Sequence, residues 1–269
     1  MSQTVPTQET LRVEEDVRQP LSPYLPNGTS SMHTTLTYAT SLDSAISLQP
    51  GAPTILSGPR SKAMTHYLRM KHDAILVGFG TAAADDPGLC CRIAGATLEH
   101  QPRPIILDPS GRWNFSADSK VMRLARAGQG KAPWIITALN QPPADRVKLL
   151  QELGGRYLRL HVSDHRKGTS QAFNWEDILR CLSQQGIKSV MMEGGATVIN
   201  DLLSPANAQW VNSVIVTIAP TWLGRGSLVI QPEKTRDERG GLGPAARLKD
   251  IRWITLGEDA IVCGRLEQR

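Results

Sequence analysis

The chain of 269 residues has a net charge of +5, with 40% hydrophobic, 20% charged and 5% aromatic residues. This balance is typical of one large globular domain and excludes a disordered protein. Lys and Arg are scattered and aromatic residues are few, so we expect no nucleic acid partner. No stretch approaches the roughly 20 apolar residues of a membrane span. The four cysteines have no CxxC or metal-ligand spacing, which indicates neither a zinc site nor disulfides and favours the cytoplasm, with the nucleus left open.

The predicted elements begin after an irregular start. Residues 1–30 are rich in Ser, Thr, Pro and Gln without periodicity, so we predict a mobile N-terminal arm or a dimer-clasping tail, followed by a single domain over 31–269. A strand is predicted over 34–42 and a helix over 61–72. Further strands are predicted at 74–78, 104–108, 134–138, 157–162, 189–193 and 211–220, and helices near 118–127, 143–153 and 175–185. This alternation predicts an α/β fold with a mostly parallel sheet covered on both faces.

The pattern changes near the C-terminus. Residues 224–245 are rich in glycine and charge, which predicts a flexible surface loop. Residues 251–267 form two apolar runs around Gly257-Glu258-Asp259, which predicts an antiparallel hairpin that closes the sheet.

Two of the predicted strands end in glycine turns. The first turn is Gly-Phe-Gly-Thr at 78–81, and the second is Gly-Gly at 194–195, followed by a helix. Backbone without Cβ atoms can approach a bulky ligand closely, and the free N–H groups of residues 195–197 would favour a phosphate. Ligands of open α/β sheets lie at the carboxyl ends of the strands. We therefore expect the two turns side by side, bridged by the pyrophosphate of a dinucleotide.

Acidic residues accompany both turns. Pro87-Gly88 has the signature of a type II turn, which would fold Asp85 back toward the glycines; the alternative for Asp85 is the cap of a turn. Glu193 ends an apolar strand, where a carboxylate is costly to bury without a partner. We therefore predict that Glu193 belongs to the site.

Basic residues could form an anion site nearby. His66 and Arg69 lie three residues apart on the predicted helix, so their side chains would project together. Arg92 follows the Pro-Gly turn closely. The alternative for both arginines is a solvated surface charge.

Six segments resemble, in chain order, the fungal family of 2,5-diamino-6-ribosylamino-4(3H)-pyrimidinone 5′-phosphate reductases of riboflavin biosynthesis. They are LTYATSLD, SKAMTHYLR, DAILVGFGTAAADDPGL, RPIILD, MEGGATVINDLL and VNSVIVTIAPTWLG, and the resemblance extends from about residue 34 to 266. The resemblance implies a dihydrofolate-reductase-like three-layer α/β fold and a homodimer. It also implies NADPH-dependent reduction of the ribosyl side chain of a phosphorylated ribosylaminopyrimidine to the ribityl form, with NADH not excluded.

Together with the glycine and charge patterns, the resemblance gives a set of candidate residues. The cofactor-binding candidates are Gly80, Thr81, Asp85, Val162, Glu193, Gly194, Gly195, Ala196 and Thr197. The substrate-binding candidates are His66, Arg69, Leu89 and Arg92. Asp85 and Glu193 are the catalytic candidates, and the proton donor is left open between a carboxyl group and water.

The chain departs from the resemblance at two places. Related enzymes often carry Gly-Lys where this chain has Ser44-Ala45, and Arg60 stands where an acid is expected before the helix. The zinc deaminase signature that bacterial relatives often add is missing from the sequence, so we expect reduction without deamination. Two alternative functions remain: a reductase of the same fold that acts on a pterin or another pyrimidine, and a catalytically silent nucleotide-binding regulator.

Overall fold

The computed structural model describes residues 9–28, 31–52, 54–162, 173–234, 241, 243 and 245–267. Within them the helices are α1 (Glu15–Leu21), α2 (Pro59–Met70), α3 (Phe79–Asp85), α4 (Lys120–Arg126), α5 (Ala144–Gln151), α6 (Trp175–Gln184) and α7 (Ala196–Leu202). The strands are β1 (His33–Thr40), β2 (Ala45–Ser47), β3 (Ala74–Gly78), β4 (Arg103–Leu107), β5 (Trp134–Thr137), β6 (Arg156–Arg159), β7 (Ser189–Gly194), β8 (Ser213–Ile218), β9 (Leu228–Val229), β10 (Leu248–Leu256) and β11 (Asp259–Leu266).

A nine-stranded sheet forms the centre of the described chain, in the order β10-β11-β8-β1-β7-β3-β4-β5-β6. The neighbours from β8 through β6 pair in parallel. β11 pairs antiparallel with both β8 and β10. The predicted α/β class, with a mostly parallel sheet and a C-terminal antiparallel hairpin, is confirmed.

Helices cover both faces of this sheet. Successive side chains of each strand point to opposite faces, so neighbouring residues of one strand pack against different helices. On β3, Leu76 packs in the cluster that contains α6 and α7. Ile75 and Val77 pack on the opposite face with α4 and α5. Met191 of β7 faces the same side as Ile75 and packs against α2. The helices that follow the strands therefore bury the near-continuous apolar runs that the sequence shows.

The N-terminal segment is part of the fold. Residues 9–28 include α1, whose Val17 and Leu21 are buried in one cluster with Met64 of α2 and Ile215 of β8. The prediction of a mobile arm is wrong for these residues, because their few apolar side chains cover a face of α2 and the sheet. Residues 1–8 of the predicted arm lie outside the described residues.

Arg60, one of the two departures, ties this segment to α2. Its guanidinium lies 2.8 Å from Glu14 and 3.0 Å from Asp16, both at the start of α1. All three side chains are exposed, so the pairs contribute at most about 1 kcal/mol. Arg60 thus has a structural partner in the N-terminal segment.

The predicted flexible loop at 224–245 is partly ordered strand. Its β9 pairs antiparallel with β2 in a separate two-stranded sheet. The positions 235–240, 242 and 244 of that prediction lie outside the described residues. Among the described helices, none has the length and apolarity that a membrane crossing requires.

Candidate functional site

The two glycine turns lie side by side. Their strands β3 and β7 are neighbours, with Val77 opposite Gly194. A Cβ at Gly195 would lie only 2.9 Å from Thr81 Oγ1, and a Cβ at Gly78 would lie 3.9 Å from the Gly195 nitrogen. Any side chain at 195 would therefore collide with the neighbouring turn. The prediction that the two turns meet at the carboxyl edge of the sheet is confirmed.

Each turn leads directly into a short helix, α3 after β3 and α7 after β7. No side chain of the described residues caps either helix N-terminus, because the N-cap positions are Gly78 and Gly195. A Cβ at Gly80 would meet no atom within 4 Å, so the space beside the first turn is open. The peptide between Gly194 and Gly195 is cis. The edge thus presents two sets of backbone N–H groups next to each other, which suits an anionic group.

The two adjacent acids at the end of α3, Asp85 and Asp86, have different environments. Asp86 accepts the backbone N–H of Lys120 at 2.9 and 3.1 Å and so caps the start of α4. The Asp85 carboxylate is exposed and makes no hydrogen bond or ion pair with the described part of the chain. Partial desolvation raises the pKa of Asp85 above its ordinary value. Of the two acids, Asp85 is the one left available to a ligand.

The predicted type II turn at Pro87-Gly88 is wrong. Such a turn needs a positive φ at Gly88, but the positive angles fall on Asp86 (39°) and Leu89 (46°). Gly88 serves close packing instead, since a Cβ there would lie 2.8 Å from Leu124 of α4. Leu89 is buried in a left-handed conformation that branched residues rarely adopt, which is typical of residues held in place at a binding site.

Arg69 and Glu193 form a two-bond ion pair between α2 and the end of β7. Arg69 Nε and Nη2 each donate to a Glu193 carboxylate oxygen at 2.7 Å, and Nη1 donates to the Cys90 carbonyl at 3.1 Å. Both side chains are 15% exposed. Burial alone would lower the pKa of Arg69, but the charge and hydrogen bonds of Glu193 outweigh burial and raise it. Arg69 is therefore the partner that the Glu193 carboxylate requires at the end of its apolar strand.

His66 and Arg92 form a second contact beside this pair. His66 Nε2 lies 3.2 Å from Arg92 Nε and 3.0 Å from Arg92 Nη2, and His66 is buried. Burial, followed by the charges of Arg69 and Arg92, lowers the pKa of His66 to about 2. The imidazole is therefore neutral at physiological pH and accepts from Arg92, and a role for His66 in holding an anion stays a prediction. Arg92 carries the positive charge here.

Val162 lies apart from the other candidates. It follows β6, the strand at the far edge of the sheet, and is half-buried against the cluster under α6 and α7. Three strand spacings separate β6 from β3, which corresponds to about 14 Å. The structure therefore brings Thr81, Glu193, Gly195 and Arg69 together and leaves Val162 at the other end of the same edge.

Two features explain the second departure, Ser44-Ala45. Ala45 is fully buried in β2, so a long charged side chain would not fit at that position. Ser44 has a φ of 61°, the conformation in which glycine is favoured. The lysine that related enzymes often carry therefore has no counterpart at this place in the structure.

Two acids that hold backbone N–H groups in place were not predicted from the sequence, Asp259 and Asp43. Asp259, at the start of β11, is buried and accepts the Gly58 N–H at 2.8 Å and the Ser61 hydroxyl at 2.5 Å, so it caps α2 from a distant hairpin. Asp43, after β1, accepts the backbone N–H groups of Leu223 and Gly224. A sequence search for N-terminal helix caps looks only at adjacent residues, so it could not find Asp259.

The chain belongs to the family described as the RibD C-terminal domain, whose model matches residues 32–262. Two relatives of this chain carry the name of the same reductase. The 2,5-diamino-6-ribosylamino-4(3H)-pyrimidinone 5′-phosphate reductase of Debaryomyces hansenii is 39% identical over 259 residues, 95% of this chain and 98% of that protein. The reductase of the same name in Saccharomyces cerevisiae is 38% identical over 94% of this chain and 96% of its own.

Solved structures agree with this assignment. The riboflavin biosynthesis reductase Rib7 of Saccharomyces cerevisiae is 36% identical and superposes with a TM-score of 0.76, covering 94% of this chain and all of the other. A deaminase/reductase from Thermotoga maritima is 21% identical with a TM-score of 0.63, over 88% of this chain and 57% of that one. The second similarity shows a shared fold only.

Proposed function

We propose that the protein reduces 2,5-diamino-6-ribosylamino-4(3H)-pyrimidinone 5′-phosphate to its ribityl form with NADPH, a step of riboflavin biosynthesis. The observation that carries this proposal is the close approach of the two glycine turns, where Gly195 lies against the Thr81 side chain, at the carboxyl edge where Glu193 and Asp85 also lie. The named reductases at 38–39% identity support the substrate.

The residues present fit a nicotinamide dinucleotide. The Gly195 backbone lies against Thr81 with no room for a side chain, and the space beside Gly80 is open, so a group could approach the backbone closely there. Thr81 Oγ1 and the N–H groups of residues 195–197 would hold the pyrophosphate. Gly80 leaves open space beside it, and Gly194 forms the turn with a positive φ of 118°. Val162, about 14 Å along the edge from β3, would contact the far nucleotide. When bound, the cofactor supplies the hydride for the reduction.

The charged residues fit the substrate side. Arg69 is neutralised by Glu193, whereas the Arg92 guanidinium has no carboxylate partner among the described residues, so Arg92 is the main phosphate ligand in this proposal. His66 fixes the Arg92 guanidinium by contact, and Leu89 lines the same corner. Asp85 and Glu193 orient the sugar or the aminopyrimidine by accepting its hydrogen bonds. The ribosylamine opens to an imine, whose C1′ is the carbon that is reduced.

The test is NADPH oxidation by the purified protein, followed by absorbance, with the diaminopyrimidine ribotide, a pterin or no substrate. We expect NADPH to be oxidised in the reaction with the ribotide, and not in the reactions with the pterin or without substrate. Oxidation only with the pterin would favour the related reductase, and binding without oxidation would favour the silent regulator. Repeating the assay with NADH measures the cofactor preference.

Arg92→Ala tests the phosphate role. We expect a raised KM for the ribotide with the KM for NADPH unchanged, because Arg92 lies on the substrate side. Arg123→Ala is the matched control, since Arg123 is an exposed arginine of α4 without an ion pair among the described residues. Equal effects of Arg92→Ala on both KM values would remove this role.

The homodimer is also a proposal. β10 forms an edge of the sheet and exposes Ile251 and Trp253, the latter by 63%. An open edge strand with exposed apolar side chains suits pairing with a second copy. Sedimentation should show a dimer that Trp253→Lys dissociates; an unchanged dimer would place the interface elsewhere. A cytoplasmic location is supported by the four free thiols and is testable by cell fractionation.

A further inference from the structure

Arg112 is an exposed arginine whose guanidinium lies beside the first glycine turn. Its Cζ is 3.8 Å from the centroid of the Phe79 ring. Phe79 lies between Gly78 and Gly80 in that turn and is half-buried against the cluster that includes α4 and α5. The guanidinium has no hydrogen-bond acceptor and no carboxylate partner among the described residues, so its donors are available to a ligand.

The backbone of Arg112 is held at the level of this turn. β3 and β4 are parallel neighbours, with Gly78 opposite Leu107. Asp108, the residue after Leu107, is therefore level with Phe79. The buried Asp108 carboxylate accepts the N–H of Arg112 at 2.9 Å and the N–H of the following residue at 2.8 Å. The loop after β4 thus folds back at the end of its strand, one strand spacing, about 5 Å, from the end of β3.

This loop lies on the route of the proposed cofactor along the carboxyl edge. The pyrophosphate is assigned to the turns of β3 and β7, and the far nucleotide, the adenosine half, to Val162 after β6. In the sheet β4 follows β3 on the way to β6. The ribose of the adenosine half is bonded directly to the pyrophosphate, so this sugar passes the end of β4, next to Arg112.

A phosphate on the 2′ oxygen of this ribose distinguishes NADPH from NADH. A phosphate monoester carries a charge of about −2 near pH 7. An arginine donates two parallel N–H bonds to such a group, and stacking on an aromatic ring keeps the flat guanidinium in one orientation. The 2′-hydroxyl of NADH is uncharged, so it gains much less from the same side chain.

We propose that Arg112 binds the 2′-phosphate of the cofactor and so makes the protein prefer NADPH to NADH. This inference rests on the proposed reductase function, which supplies the dinucleotide. Phe79 and Asp108 are then positioning residues, because they act through the side chain and the backbone of Arg112.

The first experiment compares Arg112→Ala and Arg112→Lys with the wild-type protein in the ribotide-dependent assay. The wild-type protein should have a lower KM for NADPH than for NADH. Alanine should raise the KM for NADPH about tenfold, equivalent to about 1.4 kcal/mol, and leave the KM for NADH and for the ribotide unchanged. Lysine keeps the charge without the paired donors and should restore part of the loss.

The second experiment measures binding without turnover. Calorimetry compares adenosine 2′,5′-bisphosphate, which carries the 2′-phosphate, with adenosine 5′-monophosphate, which lacks it. The wild-type protein should bind the bisphosphate about tenfold more tightly, and Arg112→Ala should bind the two compounds equally.

Arg156→Ala is the matched control. Arg156 is also an exposed arginine stacked on an aromatic ring, 4.1 Å from that of Trp134, but it lies at the start of β6, on the opposite edge of the sheet. Its KM values and affinities should match those of the wild-type protein.

Three results would overturn the inference: equal wild-type KM values for NADPH and NADH, an equal rise of both in Arg112→Ala, or equal wild-type affinity for the two adenosine compounds. In each case, ribotide-dependent oxidation by the wild-type protein leaves the reductase function intact. If the wild-type protein oxidises neither cofactor with the ribotide, the reductase function fails, and calorimetry alone decides the role of Arg112.

Discussion

The ion pair between Arg69 and Glu193 allows a quantitative test through the variant Glu193→Gln. Each side chain is 15% exposed, and two hydrogen bonds of 2.7 Å join them. Removing one partner of a buried pair leaves the other charge uncompensated and costs about 3–5 kcal/mol. Glutamine still offers one acceptor oxygen, so we expect the lower end, about 3 kcal/mol, or a Tm lower by about 6–12 °C.

The assay is thermal and urea unfolding of Glu193→Gln, Arg69→Met and the double variant. The double variant leaves no unpaired charge, so its loss of stability should be smaller than the sum of the single losses by about 1–3 kcal/mol. Arg60→Ala is the control, because the exposed Arg60 pairs should contribute less than about 1 kcal/mol. A Glu193→Gln variant as stable as Arg60→Ala, or an additive double variant, would refute the assignment of this pair as a structural link.

Three further predictions concern stability. Asp259→Ala should lower the free energy of unfolding by about 2 kcal/mol, because α2 loses its cap, and urea unfolding measures this loss. Ser44→Gly should raise it by about 0.5 kcal/mol, since φ is 61° at this position, and the same assay applies. Burial lowers the pKa of His72 to about 4. The unfolded chain therefore takes up this proton below about pH 6.5 and the folded one only near 4, so stability should fall as pH drops between these values, by up to about 1.4 kcal/mol per pH unit. Urea unfolding at pH 7 and pH 5 should show a smaller decline for His72→Gln than for the wild-type protein.

Each of these has a clear contrary result. An Asp259→Ala protein with the wild-type unfolding midpoint would mean that α2 needs no distant cap. A Ser44→Gly protein less stable than the wild type would show that the serine side chain contributes more than its backbone strain. Equal pH dependence of the His72→Gln and wild-type proteins would assign the acid sensitivity to other groups.

The parallel core was predictable because buried strands and amphipathic helices differ in period. The strand 74–78 was predicted with the bounds that β3 has, and 189–193 differs from β7 by one residue. Once both strands are in one parallel sheet, their glycine turns must share an edge, and only the strand order remains to be found. The sequence could not show that β3 and β7 are neighbours. About 116 residues separate paired positions such as Ala74 and Val190, and connections of this length are compatible with other strand orders.

The site was predictable as a set of residues more than as a set of contacts. Glu193 was selected because an acid at the end of an apolar strand needs a partner, but that partner, Arg69, is 124 residues away. The difference between Asp85 and Asp86 also depends on tertiary structure, since only the position of α4 makes Asp86 a cap. The turn at Gly88 was misassigned because a glycine required for close packing has the same sequence signature as one required for a positive φ.

Residues 9–28 belong to the unit that folds, although they precede the segment that the family model matches. The family model begins at residue 32, whereas Leu11, Val13, Val17, Leu21, Tyr24 and Leu25 are buried in the cluster with α2 and β11. A protein trimmed to the family boundary would expose that apolar surface, together with the start of the helix that carries His66 and Arg69. Truncations meant to isolate a minimal reductase should therefore retain the chain from residue 9, and insolubility of shorter versions would reflect an uncovered core and not a damaged active site.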